Sequence, residues 1–202
     1  MPAMVDVTLA QPRVPVGSIR LRGTGWWGMI MLILTEAALF VYLLFSFYYF
    51  ALQSPGNFLP QHPPPLTLAL PNTVILLLSS VAIWWADVGA RRSRRGPLVI
   101  GLAIALVLGI AFVTIQLFEW REQTFTIRSS EYGSLFFTIT GFDMAHVVVG
   151  LLILLTLLCW SALGYIGGRR SAPVLIGAAY WYFVNAVWLA VFFTFYLTPY
   201  LR

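Results

Sequence analysis

The chain reads as an all-α membrane protein of five transmembrane helices, with its N-terminus cytoplasmic and its C-terminus outside. Three observations carry that reading. Of 202 residues, 60% are hydrophobic and 9% charged, more apolar surface than a soluble domain of this size buries, so the excess faces lipid. Five apolar stretches, near Trp26–Leu52, Leu66–Val88, Pro97–Phe118, Gly133–Ser161 and Pro173–Thr198, each exceed the roughly 20 residues a spanning helix needs. The basic residues are all arginine, and if the helices alternate, Arg13, Arg20, Arg22, Arg91, Arg92, Arg94, Arg95, Arg169 and Arg170 share one side. Only Arg121, Arg128 and Arg202 fall on the other. Arginine-rich short loops stay in the cytoplasm, which sets the orientation.

Residues 1–25 form a cytoplasmic N-terminal tail and residues 26–202 the five-helix domain. The tail has no apolar core of the kind a signal peptide carries, and it contains Pro2, Pro12 and Pro15. The first helix opens on Trp26-Trp27 as interfacial anchors and closes on Phe45–Phe50, an aromatic belt at the opposite face. The loop Gln53–Pro65 ends in three prolines and favours an extended segment. His62 within it reads as a solvated loop residue. The second helix carries Pro71 near its start, where free N–H groups make proline tolerable. Ser79 and Ser80 are small and polar and suit close helix contact.

The run Arg91–Arg95 then turns the chain. Its short length and lack of interleaved aromatics favour topology over nucleic-acid binding. Gly96-Pro97 restarts the chain as the third helix, which ends Gln116-Leu117-Phe118-Glu119-Trp120. A loop with both signs of charge, Arg121–Tyr132, leads to the fourth helix. Gly167–Arg170 is a cytoplasmic turn before the fifth. Cys159 is the lone cysteine and reads as a small hydrophobe. No internal repeat divides the chain, which argues against a secondary transporter built from inverted halves.

Polar residues at mid-membrane depth are the candidate functional set. Glu36 lies ten residues past Trp26, about 15 Å in, and Asp143 ten residues past Gly133. Asn185 is about twelve residues into the fifth helix, and His146 shares a helix face with Asp143. An acid at such depth costs roughly 2.5–3.5 kcal/mol if it faces lipid, so Glu36 and Asp143 are expected to face the bundle interior. Two readings stay open. If the acids meet, they share a proton with each other or with His146; otherwise they are neutral groups bracing helices. Two histidines and one cysteine build neither a bis-histidine haem site nor a dinuclear copper centre, so no metal or cofactor is assigned to this chain. Nor is there a phosphate loop or a serine nucleophile with a base. Catalysis by this chain alone is not expected.

Several segments, in order along the chain, resemble subunit III of cytochrome oxidases. They are Thr35-Glu36-Ala37-Ala38-Leu39-Phe40; Pro71-Asn72-Thr73 with Ser79-Ser80; Gln116-Leu117-Phe118-Glu119-Trp120; Tyr132-Gly133-Ser134 with Thr140-Gly141-Phe142 and His146-Val147; and Tyr180–Asn185 with Val187-Trp188. The resemblance implies a five-helix bacterial form without the family's two leading helices. It implies a non-catalytic accessory subunit of a haem–copper terminal oxidase in the bacterial inner membrane, with haem and copper in partner subunits. The expected partners are oxidase subunits I and II, membrane phospholipids and a respiratory supercomplex. The expected contributions are stabilising subunit I, binding lipid and supporting proton uptake.

On this reading Glu36, Asp143, His146 and Asn185 form the intramembrane polar network. Arg169 and Arg170 meet lipid headgroups, and Thr35, Asn72, Thr73, Ser79, Ser80 and Glu119 pack helices. The chain departs from the family pattern where Asp143 and Met144 replace a histidine and a glycine. It departs again where Tyr182 and Asn185 replace a histidine and an aspartate. The rival readings are an accessory subunit of a nitric oxide reductase and, in another class, an independent proton or solute carrier.

Overall fold

The computed structural model describes residues 23–54, 58–59, 64, 66–166 and 171–200. It contains five helices: α1 (Thr24–Gln53), α2 (Leu66–Arg91), α3 (Arg95–Glu122), α4 (Glu131–Ala162) and α5 (Ala172–Phe192). α5 continues through a π-helical turn, Phe193–Leu197, into a short 3₁₀ turn, Thr198–Tyr200. All five helices are long and apolar enough to cross a membrane. Among the described residues the architecture is all-helical, with five helices able to span, as the apolar stretches predict.

The helices run past the apolar stretches because local hydrogen bonding, not hydropathy, ends them. α2 and α3 leave only residues 92–94 between them. Ser93 takes a left-handed conformation with φ 55°. The Arg94 N–H bonds the Gly89 carbonyl at 2.9 Å, and the Ser93 N–H bonds the Ala90 carbonyl at 3.1 Å. That pair of bonds is a Schellman stop. α4 ends the same way at Gly164 (φ 86°), with Tyr165 bonding the Trp160 carbonyl. At its start, Ser130 Oγ accepts the Gly133 N–H at 3.0 Å, which is N-capping.

Two expectations need correction. Pro71 lies inside α2, which already begins at Leu66, not in its first turn. Spanning helices tolerate this because neighbouring groups re-satisfy the freed carbonyl. The Phe45–Phe50 run is not a uniform surface belt. Phe45 and Tyr49 are exposed, but Phe47 is fully buried. Its ring packs edge-on against Phe58, Tyr132 and Phe195, in an aromatic core at the end of the bundle where α1, α3 and α5 finish.

α2 and α3 share the widest interface, and α5 touches α1, α2 and α4. Small residues allow this closeness. Gly101 of α3 sits against the α2 backbone at Ala82 and Ala86, and the Trp181 ring of α5 fills a gap between Gly109 and Gly150. α1 is the peripheral helix. It buries only Phe40, Phe47 and Ala51 and rests on α4 and α5.

Candidate functional site

Glu36 and Phe40 lie one turn apart on α1 and face α4. On α4, Phe142 and His146 are one turn apart, so the imidazole folds back on its own helix. His146 Nδ1 is 2.7 Å from the Phe142 carbonyl oxygen. A carbonyl only accepts, so Nδ1 carries a hydrogen and donates it. Nε2 is 3.0 Å from Glu36 Oε2. The ring also packs edge-on against Phe40, with centroids 5.0 Å apart.

That geometry restricts the chemistry. With Nδ1 already a donor, one further proton lies between Nε2 and the carboxyl. It sits either on Glu36, giving two neutral groups, or on His146, giving an ion pair. The pair has no net charge in either form, which is what a site near the middle of two long helices requires. Its position is central by simple rise: Glu36 is about 18 Å into α1 and His146 about 22 Å into α4. The pair is not sealed. The Glu36 side chain keeps 29% of its surface exposed and walls an open groove of ≈ 220 Å³ with Leu32, His146, Val149, Ile153 and Tyr180. The Tyr180 hydroxyl stands 3.5 Å from the His146 carbonyl oxygen, at the long limit of a hydrogen bond.

The structure thus joins Glu36 to His146 and not to Asp143. Asp143, one turn away from His146 on α4, is buried in the bundle instead. It is 1% exposed, and neither carboxyl oxygen has a hydrogen-bond partner among the described residues. As to the two open readings of the acids, the structure shows no Glu36–Asp143 hydrogen bond among the described residues, and the partner of Glu36 is His146, one turn further along α4. Glu36 also faces a groove and not the sealed interior. Asn185 is buried on α5. Its amide donates to its own helix at the Trp181 carbonyl, 2.8 Å away, and Oδ1 is left open.

The residues expected to pack helices divide. Ser79 Oγ accepts from Trp181 Nε1 at 2.9 Å, and Thr73 Oγ1 from Trp188 Nε1 at 3.0 Å. Both bonds tie α2 to α5. Asn72 donates to Gln116 Oε1 and to the Phe112 carbonyl, both at 3.3 Å, tying α2 to α3. Glu119 accepts a hydrogen bond from Tyr196. Ser80 is half-buried with Oγ open. Thr35 departs from the expectation: it is exposed and bonds only the Leu32 carbonyl of its own helix, 2.8 Å away. Arg169, Arg170 and His62 lie outside the described residues. Among those described, no group of three or more His, Cys, Asp or Glu is arranged to hold a metal ion.

Sequence reasoning missed Phe40, Tyr180, Gln116 and Tyr196 as partners of the polar set. A signal existed for two of them. Phe40 is four residues beyond Glu36 and Gln116 three before Glu119, spacings that share a helix face. Tyr196 gave none, because its direction depends on the π turn.

The family model for cytochrome c oxidase subunit III matches residues 20–200 of this chain. Among curated proteins, the chain is 34% identical over 177 residues to cytochrome c oxidase subunit 3 of Drosophila yakuba, covering 84% of this chain and 68% of that protein. The subunit 3 proteins of Ornithorhynchus anatinus and Loxodonta africana match over the same length and coverage, at 34% and 33% identity.

Proposed function

Because this chain belongs to the cytochrome c oxidase subunit III family, we propose that it is a non-catalytic subunit of a haem–copper terminal oxidase, seated beside subunits I and II in a bacterial inner membrane. Haem and copper belong to those partners, and this chain braces them, binds lipid and supports proton uptake. The observation that carries the reading is the Glu36–His146 pair, which bridges α1 and α4 at mid-membrane depth beside a groove. A pair that holds one shared proton can shift it between carboxyl and imidazole without changing its net charge, which keeps a proton available at low dielectric cost.

The orientation follows from the arginines: the turn of Arg91–Arg95 and the segment of Arg169 and Arg170 face the cytoplasm. There guanidinium groups pair with lipid phosphates. Arg91 also closes an ion pair with Asp87 at 2.7 Å, which anchors the end of α2 at that face.

Two substitutions separate proton handling from bracing. Glu36→Gln keeps a hydrogen-bond donor for His146 Nε2 but removes the exchangeable proton. Glu36→Ala removes both. In the purified oxidase, proton handling predicts that both variants lower proton uptake and shorten the active lifetime during turnover. Glu36→Ala should in addition lower thermal stability by about 0.6–2 kcal/mol, the usual worth of an interhelical hydrogen bond in a membrane. A Glu36→Gln enzyme indistinguishable from wild type in uptake and lifetime would leave bracing alone. Purification through a tag on this chain tests the wider proposal. Recovery of an oxygen-reducing, haem-bearing partner supports it, while recovery with a nitric oxide reductase, or with no haem protein, overturns it.

A further inference from the structure

A second polar cluster lies between α2, α3 and α5, at the end of the bundle where α3 finishes. Glu119 is 1% exposed there. The Tyr196 hydroxyl donates to Glu119 Oε1, while Oε2 has no partner among the described residues. Gln116 lies one turn back on the same face of α3, receives Asn72 Nδ2 on Oε1, and keeps Nε2 open. Asn72 Oδ1 is open as well. No arginine or histidine forms an ion pair with Glu119 among the described residues, where the ion pairs are Arg91–Asp87 and His146–Glu36. The other titratable groups facing the cluster are Tyr132 from α4 and Glu122 on α3 itself. Neither supplies positive charge.

We propose that Asn72, Gln116, Glu119 and Tyr196 form a proton-holding site separate from Glu36–His146, in which Glu119 is the neutral carboxylic acid. A carboxylate facing only neutral donors, the Tyr196 hydroxyl and the nearby Gln116 amide, with no cation would be an uncompensated buried charge. The acid form needs a single acceptor for its proton, and the open Asn72 Oδ1 is of that type.

The fold builds this site by an irregularity. α5 leaves the α-helical path at Phe193, and the π turn carries Tyr196 onto Glu119. The Phe195 carbonyl meanwhile accepts from Tyr132 at 3.4 Å. Single π turns recur at functional sites because they redirect one side chain at the expense of a regular bond.

Infrared difference spectroscopy on the purified complex tests the proposal. A protonated-carboxyl C=O band should be present at neutral pH, move on exchange into heavy water, and vanish in Glu119→Gln. It should survive unchanged in Glu36→Gln, so this test does not depend on the first site. Tyr196→Phe, which keeps the ring, should shift the band upward by removing a donor from the carbonyl. If Glu119→Gln fails to assemble, the Tyr196→Phe shift decides alone. Absence of the band in wild type, or a band blind to both Glu119→Gln and Tyr196→Phe, overturns the proposal.

Discussion

Trp181→Ala is expected to lower the stability of the purified protein by roughly 2–4 kcal/mol, the largest loss from any single truncation in the bundle. Soluble cores lose about 3–5 kcal/mol on such a change, part of it from transfer to water and part from the cavity. Lipid tails are as apolar as the core, so much of the transfer part falls away here and the packing part remains. That part is large at this position. The ring is fully buried and donates to Ser79 on α2. It fills the gap where Gly109 of α3 and Gly150 of α4 face it, so that a Cβ at either glycine would stand 2.8–2.9 Å from a ring atom. One side chain thus ties α5 to three other helices. Thermal unfolding in detergent checks the loss. The same geometry predicts compensation: Gly150→Val should be severe in the wild type and mild in Trp181→Ala. Equal cost in both backgrounds would show that the ring and the glycine are not coupled.

Gly101→Leu should be comparably damaging, about 3 kcal/mol or more, for the opposite reason. A Cβ at Gly101 would lie 2.8 Å from the Ala82 carbonyl oxygen and 3.0 Å from the Ala86 nitrogen. These are backbone atoms of α2 and cannot swing aside. The two helices must separate along their widest interface, an overpacking cost at the upper end of the usual range. Gly28→Leu and Gly96→Leu are the controls, since nothing lies within 4 Å of a Cβ at either position. Folded yield and melting temperature should fall for Gly101→Leu and hold for the controls. A Gly101→Leu protein that melts with the controls would refute the close-packed hairpin.

The polar residues that matter were legible one by one, because any acid, amide or imidazole is conspicuous in a helix that is otherwise oil. Their pairing was not. Glu36, Asp143 and His146 were grouped by depth, and depth is the same whichever way a helix is rotated about its axis. The contacts depend on that rotation. It sets His146 against Glu36 of α1 and leaves the buried Asp143 without a partner among the described residues, so the pair that forms is carboxylate–imidazole. Glu119 was read as a packing residue because its distinguishing partner, Tyr196, is supplied by a π turn that no local composition announces. Phe47 was placed on the surface with its neighbours for the same reason: in an aromatic run, the one inward residue carries no mark of its own.

The chain's own composition determined the number of spans, their order and their approximate ends. A bilayer imposes a minimum apolar length and forces every backbone group to bond within its own helix, and both demands act residue by residue along the chain. Which face of each helix turns inward was decided only in the tertiary structure. Lipid and protein interior are nearly equal as solvents for these side chains, so an all-round apolar helix carries little amphipathic signal. Its rotation is settled by shape, through glycine against backbone at Gly101 and an indole between two glycines at Trp181. The buried acids then take the partners that this packing leaves within reach.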